Sequence, residues 1–217
     1  TYIMSISRHN LSVIIVNFKS DHVIERCISS IDSQIEIIVI DNSNSMDFKN
    51  RIEKKYHNVK CILSEENLGM GAGNNLGIDN VKNDYAFILN PDVVLEKDSL
   101  KQIIDASLNI NSFAIIAPIS DKKDYPNYKL NKIHKFDPTK PFQVKSVDGF
   151  AMLFNLKRLK KLSNFSFFDE NFFLYLENDD ICKRLNNIQE NIYIVPKSKI
   201  NHLGGGAVDP KYKDEIE

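Results

Sequence analysis

The sequence predicts an α/β protein built on a Rossmann-like, mostly parallel central sheet with helices on both faces. Three observations predict it: short continuous β-branched runs, helical periodicity between them, and polar residues where the runs stop. With 217 residues, 42% of them hydrophobic, one such core is well filled and two are not, so a single domain over 1–217 is expected. Residues 1–10 are expected as an N-terminal extension.

Residues 12–18 (SVIIVNF) form the first run, patterned as a parallel strand buried on both faces. Val23, Ile24, Cys27, Ile28 and Ile31 then recur at helical spacing within residues 21–33, and Asp21 is placed to cap that helix. Residues 35–41 repeat the strand pattern; past the polar cluster 42–45, Phe48, Ile52 and Tyr56 mark a second helix. Residues 59–63 read as a third strand, 69–81 as a glycine-rich turn into a helix, and 84–89 as a fourth strand. Repeated crossovers of this kind build a parallel sheet. Residues 100–108 read as a helix and 113–118 as extended, whereas the lysine-rich stretch 121–141 has neither period and is expected to be a mobile loop. Order returns at 144–155, in a helix over 177–187 and in a strand over 192–196.

The 28 basic and 29 acidic residues leave a formal net charge of -1, so no nucleic-acid partner is expected. Cys27, Cys61 and Cys182 are too scattered for a disulfide framework or a cysteine zinc site, which points to a cytoplasmic setting. No apolar run approaches the roughly 18 residues of a membrane span, and the polar start lacks a signal-peptide core.

In doubly wound sheets ligands lie beyond the carboxyl ends of the strands, and here those ends carry Asn17, Asp41, Asn67, Asn90 and Asp92. Asp41 suits the imide N–H of uracil or thymine, or equally the capping of a turn. The segment 67–77 (NLGMGAGNNLG) allows close backbone approach to phosphate or sugar hydroxyls. Gly71, Gly73 and Gly77 space as G-x-G-x-x-x-G after the third strand, which argues against the dinucleotide fingerprint that follows a first strand. In 90–92 (NPD) a strand exits into a turn bearing a carboxylate, a way to hold Mg2+ or Mn2+ beside phosphate, or simply a turn before the next element. Glu177, Asp179 and Asp180 cluster at a helix start, as favourable dipole charges or as the source of a general base. His202, ahead of the glycine run 204–206, can serve as a metal ligand or a structural residue.

Taken in order, these segments resemble glycosyltransferase family 2, in its bacterial rhamnosyltransferase-like branch that builds surface polysaccharides. The resemblance runs through 13–18 (VIIVNF), 39–43 (VIDNS), 66–69 (ENLG) with 73–75 (GNN), 89–92 (LNPD), 147–153 (VDGFAML), 168–173 (FDENFF) with 177–180 (ENDD), and 202–206 (HLGGG). It implies a GT-A fold, a divalent metal (Mg2+ or Mn2+), a dTDP- or UDP-linked sugar donor, and inversion by one in-line displacement. The acceptor it implies is a carbohydrate or lipid-linked saccharide, with peripheral membrane contact at the inner face. Carried onto this chain, Asp41 matches the base-binding acid, and Asn17, Asn67, Gly69, Gly73, Asn74, Asn75 and Asn90 form the donor site. Gly149 and Phe150 border the reacting sugar, Asp92 is the metal ligand, and His202 is a second metal or diphosphate contact. Two features depart from the pattern. The base motif commonly reads Glu-Asp-x-Asp, but Asn178 stands where the base usually lies, and an amide takes up no proton. Glu177 is therefore the first choice for the base, then Asp179, with Asp180 as the remaining acid. Relatives also continue past the glycine run, so a truncated C-terminus is expected. A catalytically silent nucleotide-sugar-binding module and a nucleotidyltransferase are the rival readings.

Overall fold

The computed structural model describes residues 5–120, 126–131, 137–203 and 207–211. The β-branched runs form β1 (Leu11–Asn17), β2 (Glu36–Asp41) and β3 (Val59–Leu63), linked by α1 (Ile24–Ser29) and α2 (Met46–Lys55). α1 is shorter than its periodicity suggested, and Asp21 does not cap it: Val23 holds the cap position without a side-chain bond, and Asp21 pairs with Arg51 at 2.6 Å. α2 starts where Ser45 accepts a hydrogen bond from the Phe48 N–H at 3.2 Å.

α3 (Gly69–Asn80) then leads to β4 (Tyr85–Leu89), the three-residue β5 (Val93–Leu95), α4 (Ser99–Ser107) and β6 (Ile115–Ser120). Within the stretch expected to be a structureless loop, β7 (Tyr128–Lys129) pairs with β9 (Ser146–Val147), and β8 (Phe142–Gln143) joins the main sheet just beyond it. The chain continues through β10 (Ala151–Asn155), α5 (Leu156–Leu159), α6 (Glu177–Asn187) and β11 (Ile192–His202). Residues 5–10 pack onto the domain: Ile6 is buried in the core, and the Asn10 carbonyl accepts from the Tyr85 N–H at 3.1 Å.

The main sheet has the order β3-β2-β1-β4-β10-β6-β11-β5, with β8 beside β11. β1 to β4 are mutually parallel and β6 is parallel to β11, whereas β10 runs antiparallel between β4 and β6. That reversal places the start of β10 at the carboxyl end of β4, with Ala151 opposite Leu89. β5 turns back along β11 so that Val93 faces His202. Both faces are covered, one by residues such as Ile24, Ile52 and Ile103, the other by Ile78, Ile181 and Leu185. All three cysteines are buried free thiols, and among the described residues no helix is long and apolar enough to cross a membrane.

The glycines of α3 are set by packing. A Cβ on Gly77 would lie 2.5 Å from Ile14 Cγ2, and one on Gly73 would lie 3.0 Å from Val16 Cγ1, both on β1. The glycine-rich segment is thus a helix face pressed against the sheet. Gly77→Ala is expected to cost about 1–3 kcal/mol through overpacking, less up to about 1 kcal/mol of recovered helix propensity. A thermal melt should therefore show a midpoint lower by a few degrees, at roughly 2–4 °C per kcal/mol for a chain of this size.

Candidate active site

Asp92 leaves the turn after β4 with its side chain only 1% exposed, and neither carboxylate oxygen has a hydrogen-bond partner among the described residues. A buried carboxylate left this way is costly unless a cation or donor meets it. His202 Nε2 lies 3.4 Å from Asp92 Oδ1. The antiparallel pairing of β5 with β11 delivers that histidine, and the Leu203 N–H donates to the Asp92 carbonyl at 3.3 Å. Phe150 stacks on the imidazole, with ring centroids 4.0 Å apart and planes inclined by 24°. Asn90 is tied beneath: its N–H donates to the Phe150 carbonyl at 2.9 Å, and its own carbonyl accepts from the Cys27 Sγ at 3.6 Å. Among the described residues no group of three His, Cys, Asp or Glu side chains forms a complete metal cage. A site of two protein ligands still suits magnesium or manganese, which take remaining ligands from water and phosphate. The orphaned Asp92 oxygens, with a histidine within reach, fit such an ion.

Unsatisfied acceptors concentrate at this end of the molecule. The seven buried side-chain atoms without a partner among the described residues belong to Asn17, Asn42, Asn74, Asn90, Asp92 and Glu177. They come from the ends of β1, β2 and β4 and from α3 and α6. Structures rarely leave such atoms unpaired, so a concentration of them marks a surface built to receive donors or cations.

Asn17 and Asp41 are register partners at the ends of β1 and β2, and the Asn17 amide donates to Asp41 Oδ1 at 2.8 Å. Asp41 also accepts from the N–H groups of Ser43, at 3.2 Å, and Ser45, at 2.8 Å. Fully buried, it shapes the 42–45 turn and offers no exposed carboxylate to a base. Of the two roles open to it in sequence, the capping role is the one its contacts fill.

Most donor-site candidates on α3 and just before it are likewise engaged. Asn67 Oδ1 accepts from the Gly69 N–H at 3.1 Å, and the Gly69 carbonyl accepts from the Asn42 amide at 3.0 Å. Gly69 itself has φ +76°, and a Cβ there would meet the Phe173 carbonyl oxygen at 2.2 Å, so the position requires glycine. Asn74 is buried, and its Oδ1 has no partner among the described residues. Asn75 brackets Phe168, donating to its carbonyl at 2.9 Å and accepting from its N–H at 3.0 Å. This pair clips the 168–176 strap to the body of the protein.

The strap ends at the acids of α6, whose environments differ. Asp180 pairs with Arg184 at 2.7 Å and Asp179 with Lys129 at 3.1 Å. Glu177 is 9% exposed, its Oε2 has no partner among the described residues, and burial, aided by the negative Asp179, raises its pKa above the ordinary 4.5. Asn178 donates to the Val147 carbonyl at 3.0 Å and packs against Gly149, a positioning role for the amide. Tyr175 and Leu176, with φ of 67° and 68°, are consecutive non-glycine residues in the left-handed region. Each costs on the order of 1–3 kcal/mol and persists only where neighbours hold it.

A cleft of about 550 Å³ gathers Asn90, Gly149, Phe150, Glu177, Asn178, Asp179 and His202, with Asp92 buried beside it. Asn17, Asp41, Asn67, Gly69, Gly73, Asn74 and Asn75 lie outside its wall. Six wall residues had no role assigned in sequence: Met70, Ser120, Asp148, Leu174, Tyr175 and Leu176. Asp148 keeps an open side chain, yet the protein atoms around it and then Asp179 raise its pKa. Its place in the segment 147–153 was the available signal. The glycine run 204–206 lies outside the described residues.

The family model described as glycosyl transferase family 2 matches residues 12–183. The chain is 28% identical over 218 residues to the low-salt glycan biosynthesis hexosyltransferase Agl10 of Haloferax volcanii, covering 92% of this chain and 68% of that protein. Identity is 26% over 212 residues to the rhamnosyltransferase WbbL of Escherichia coli K12, covering 85% of this chain and 80% of that one. Among solved structures, GalNAc-T7 with UDP, GalNAc and Mn2+ matches at TM-score 0.72 and 15% identity, over 89% of this chain and 43% of that chain. The mannosyltransferase PcManGT from Pyrobaculum calidifontis, with GDP-Man and Mn2+, matches at TM-score 0.68 and 12% identity, over 93% and 58% respectively. The chain thus spans about half of each solved structure, and what it shares with them is the GT-A fold.

Proposed function

The chain belongs to glycosyl transferase family 2 and is a glycosyltransferase; from that premise we propose that it transfers a hexosyl group from a UDP- or dTDP-linked donor to a hydroxyl acceptor with inversion. The observation that carries the proposal is the presence, around one cleft, of two buried carboxylates with oxygens that have no partner among the described residues, both oxygens of Asp92 and Oε2 of Glu177. Asp92 and His202 would hold a divalent ion, which supplies positive charge for the leaving diphosphate. Glu177 Oε2 accepts the proton of the acceptor hydroxyl as that oxygen bonds to the anomeric carbon and the bond to the diphosphate breaks. Its raised pKa suits a base working near neutrality. Asp179 and Asp180 are poorer choices because Lys129 and Arg184 already neutralise them. Phe150 and Gly149 wall the sugar, and Phe150 fixes the imidazole plane by stacking.

Asn17 and Asp41 act on the donor through the turn they build, and Asn67, Gly69, Gly73, Asn74 and Asn75 through the placement of α3 and the strap. UDP and GDP-mannose accompany two chains of the same fold, which supports a nucleoside diphosphate sugar as the donor class here. The name of one relative supports a place in glycan biosynthesis, and three free buried thiols accord with a reducing cytoplasm.

Incubation with UDP-glucose, UDP-N-acetylglucosamine and dTDP-rhamnose in Mn2+ tests this reading through the nucleoside diphosphate released. At least one donor should be turned over, and chelation by EDTA should stop it. No release from any of them, or release indifferent to EDTA, would contradict the proposal.

A further inference from the structure

Scattered exposed apolar side chains are ordinary, but Phe173, Tyr175 and Leu176, which are 46%, 73% and 59% exposed, fall within four consecutive residues, of which Tyr175 and Leu176 line the cleft. They are not carried on a loose loop. The Phe173 carbonyl accepts from the Met70 N–H at 2.9 Å, Asn75 brackets Phe168, and the Leu176 carbonyl accepts from the Asp180 N–H at 2.9 Å. Between those ties the backbone takes the left-handed conformation at Tyr175 and Leu176, which aims an aromatic ring outward from a fixed frame. Tyr175 lines the same cleft as Glu177, Asp148 and Asp179.

An exposed aromatic face beside carboxylates matches one ligand chemistry well. A pyranose offers a C–H face to the ring, whose π cloud is negative, and hydroxyl donors to the carboxylates. The same acids disfavour an anionic lipid headgroup at this lip. We propose that Tyr175 is a stacking platform for a neutral sugar ring of the acceptor, whose hydroxyls are received by Asp148 and Glu177. This deepens the glycosyltransferase reading, on which it rests, by locating the acceptor side of the cleft.

The test uses saturation-transfer NMR with the methyl pyranosides of glucose, galactose, rhamnose and N-acetylglucosamine, in Mg2+ and UDP or dTDP. Wild type, Tyr175→Ala and Tyr175→Phe are compared, and nucleotide affinity is measured on the same samples. At least one glycoside should receive saturation on its ring protons. Tyr175→Ala should weaken its affinity about three- to tenfold, Tyr175→Phe should retain it, and nucleotide affinity should stay constant throughout. Equal glycoside binding by Tyr175→Ala, or no saturation of any glycoside by wild type that binds nucleotide, would overturn the platform and leave the donor reading standing. A Tyr175→Ala defect confined to co-sedimentation with phosphatidylglycerol vesicles would reassign the lip to a membrane and overturn it as well. Failure of wild type to bind any UDP- or dTDP-sugar would instead overturn the donor reading and, with it, the platform that depends on it.

Discussion

Asp92→Asn is expected to lower kcat/KM for sugar transfer on the order of 10³-fold, because several kcal/mol of leaving-group stabilisation depends on the charge it contributes. The fold should survive the change. Among the described residues the carboxylate is buried without a hydrogen-bond donor, so a neutral isostere removes a cost in metal-free protein. The melting temperature in EDTA should be equal to or above that of wild type. Wild type alone should gain stability on addition of Mn2+ with nucleotide, since ligands that bind only the folded state stabilise it. A variant that lost activity together with several degrees of metal-free stability would mark Asp92 as structural instead.

Glu177→Gln should lower kcat by about 10²- to 10⁴-fold, the range general-base catalysis supplies, with donor binding retained. It also makes a stability prediction of definite sign. Burial holds the folded-state pKa of Glu177 above 4.5, so its contribution to stability is full below about pH 4.5 and is lost as pH rises through the raised value. The glutamine variant should therefore melt higher than wild type near neutrality and converge with it at about pH 4. In wild type the rate should fall on the acid side as Glu177 takes up its proton. Asp179→Asn, which removes a negative neighbour, should move that limb to lower pH.

The buried strands were legible because a parallel strand covered on both faces writes itself as an uninterrupted β-branched run, as in β1 and β2. Elements of two or three residues, such as β5 and the β7 and β9 pair, carry too little pattern to read. They nonetheless position the site: β5 brings His202 to Asp92, and β7 carries Lys129 to Asp179. The glycines of α3 read as a turn leading into a helix because glycine is a poor helix former. Their reason lies in the contact with Ile14 and Val16, which no local window contains. Asp92 and Glu177 stood out by position at a strand end and a helix start. What separates Glu177 from Asp179 and Asp180 is pairing with Lys129 and Arg184, a matter of packing. Tyr175 was invisible for a similar cause, since its exposure follows from backbone held in the left-handed region by ties to α3 and α6.

Calorimetric titration of Mn2+ into the protein saturated with UDP or dTDP tests the central claim most directly, with Asp92→Asn run in parallel and the nucleotide-only heat subtracted. Wild type should show one saturable site per chain, and the variant should lose it or weaken it at least tenfold. Equal Mn2+ affinity in the two proteins would show that the ion, if it binds at all, is held elsewhere, and would contradict the assignment of Asp92.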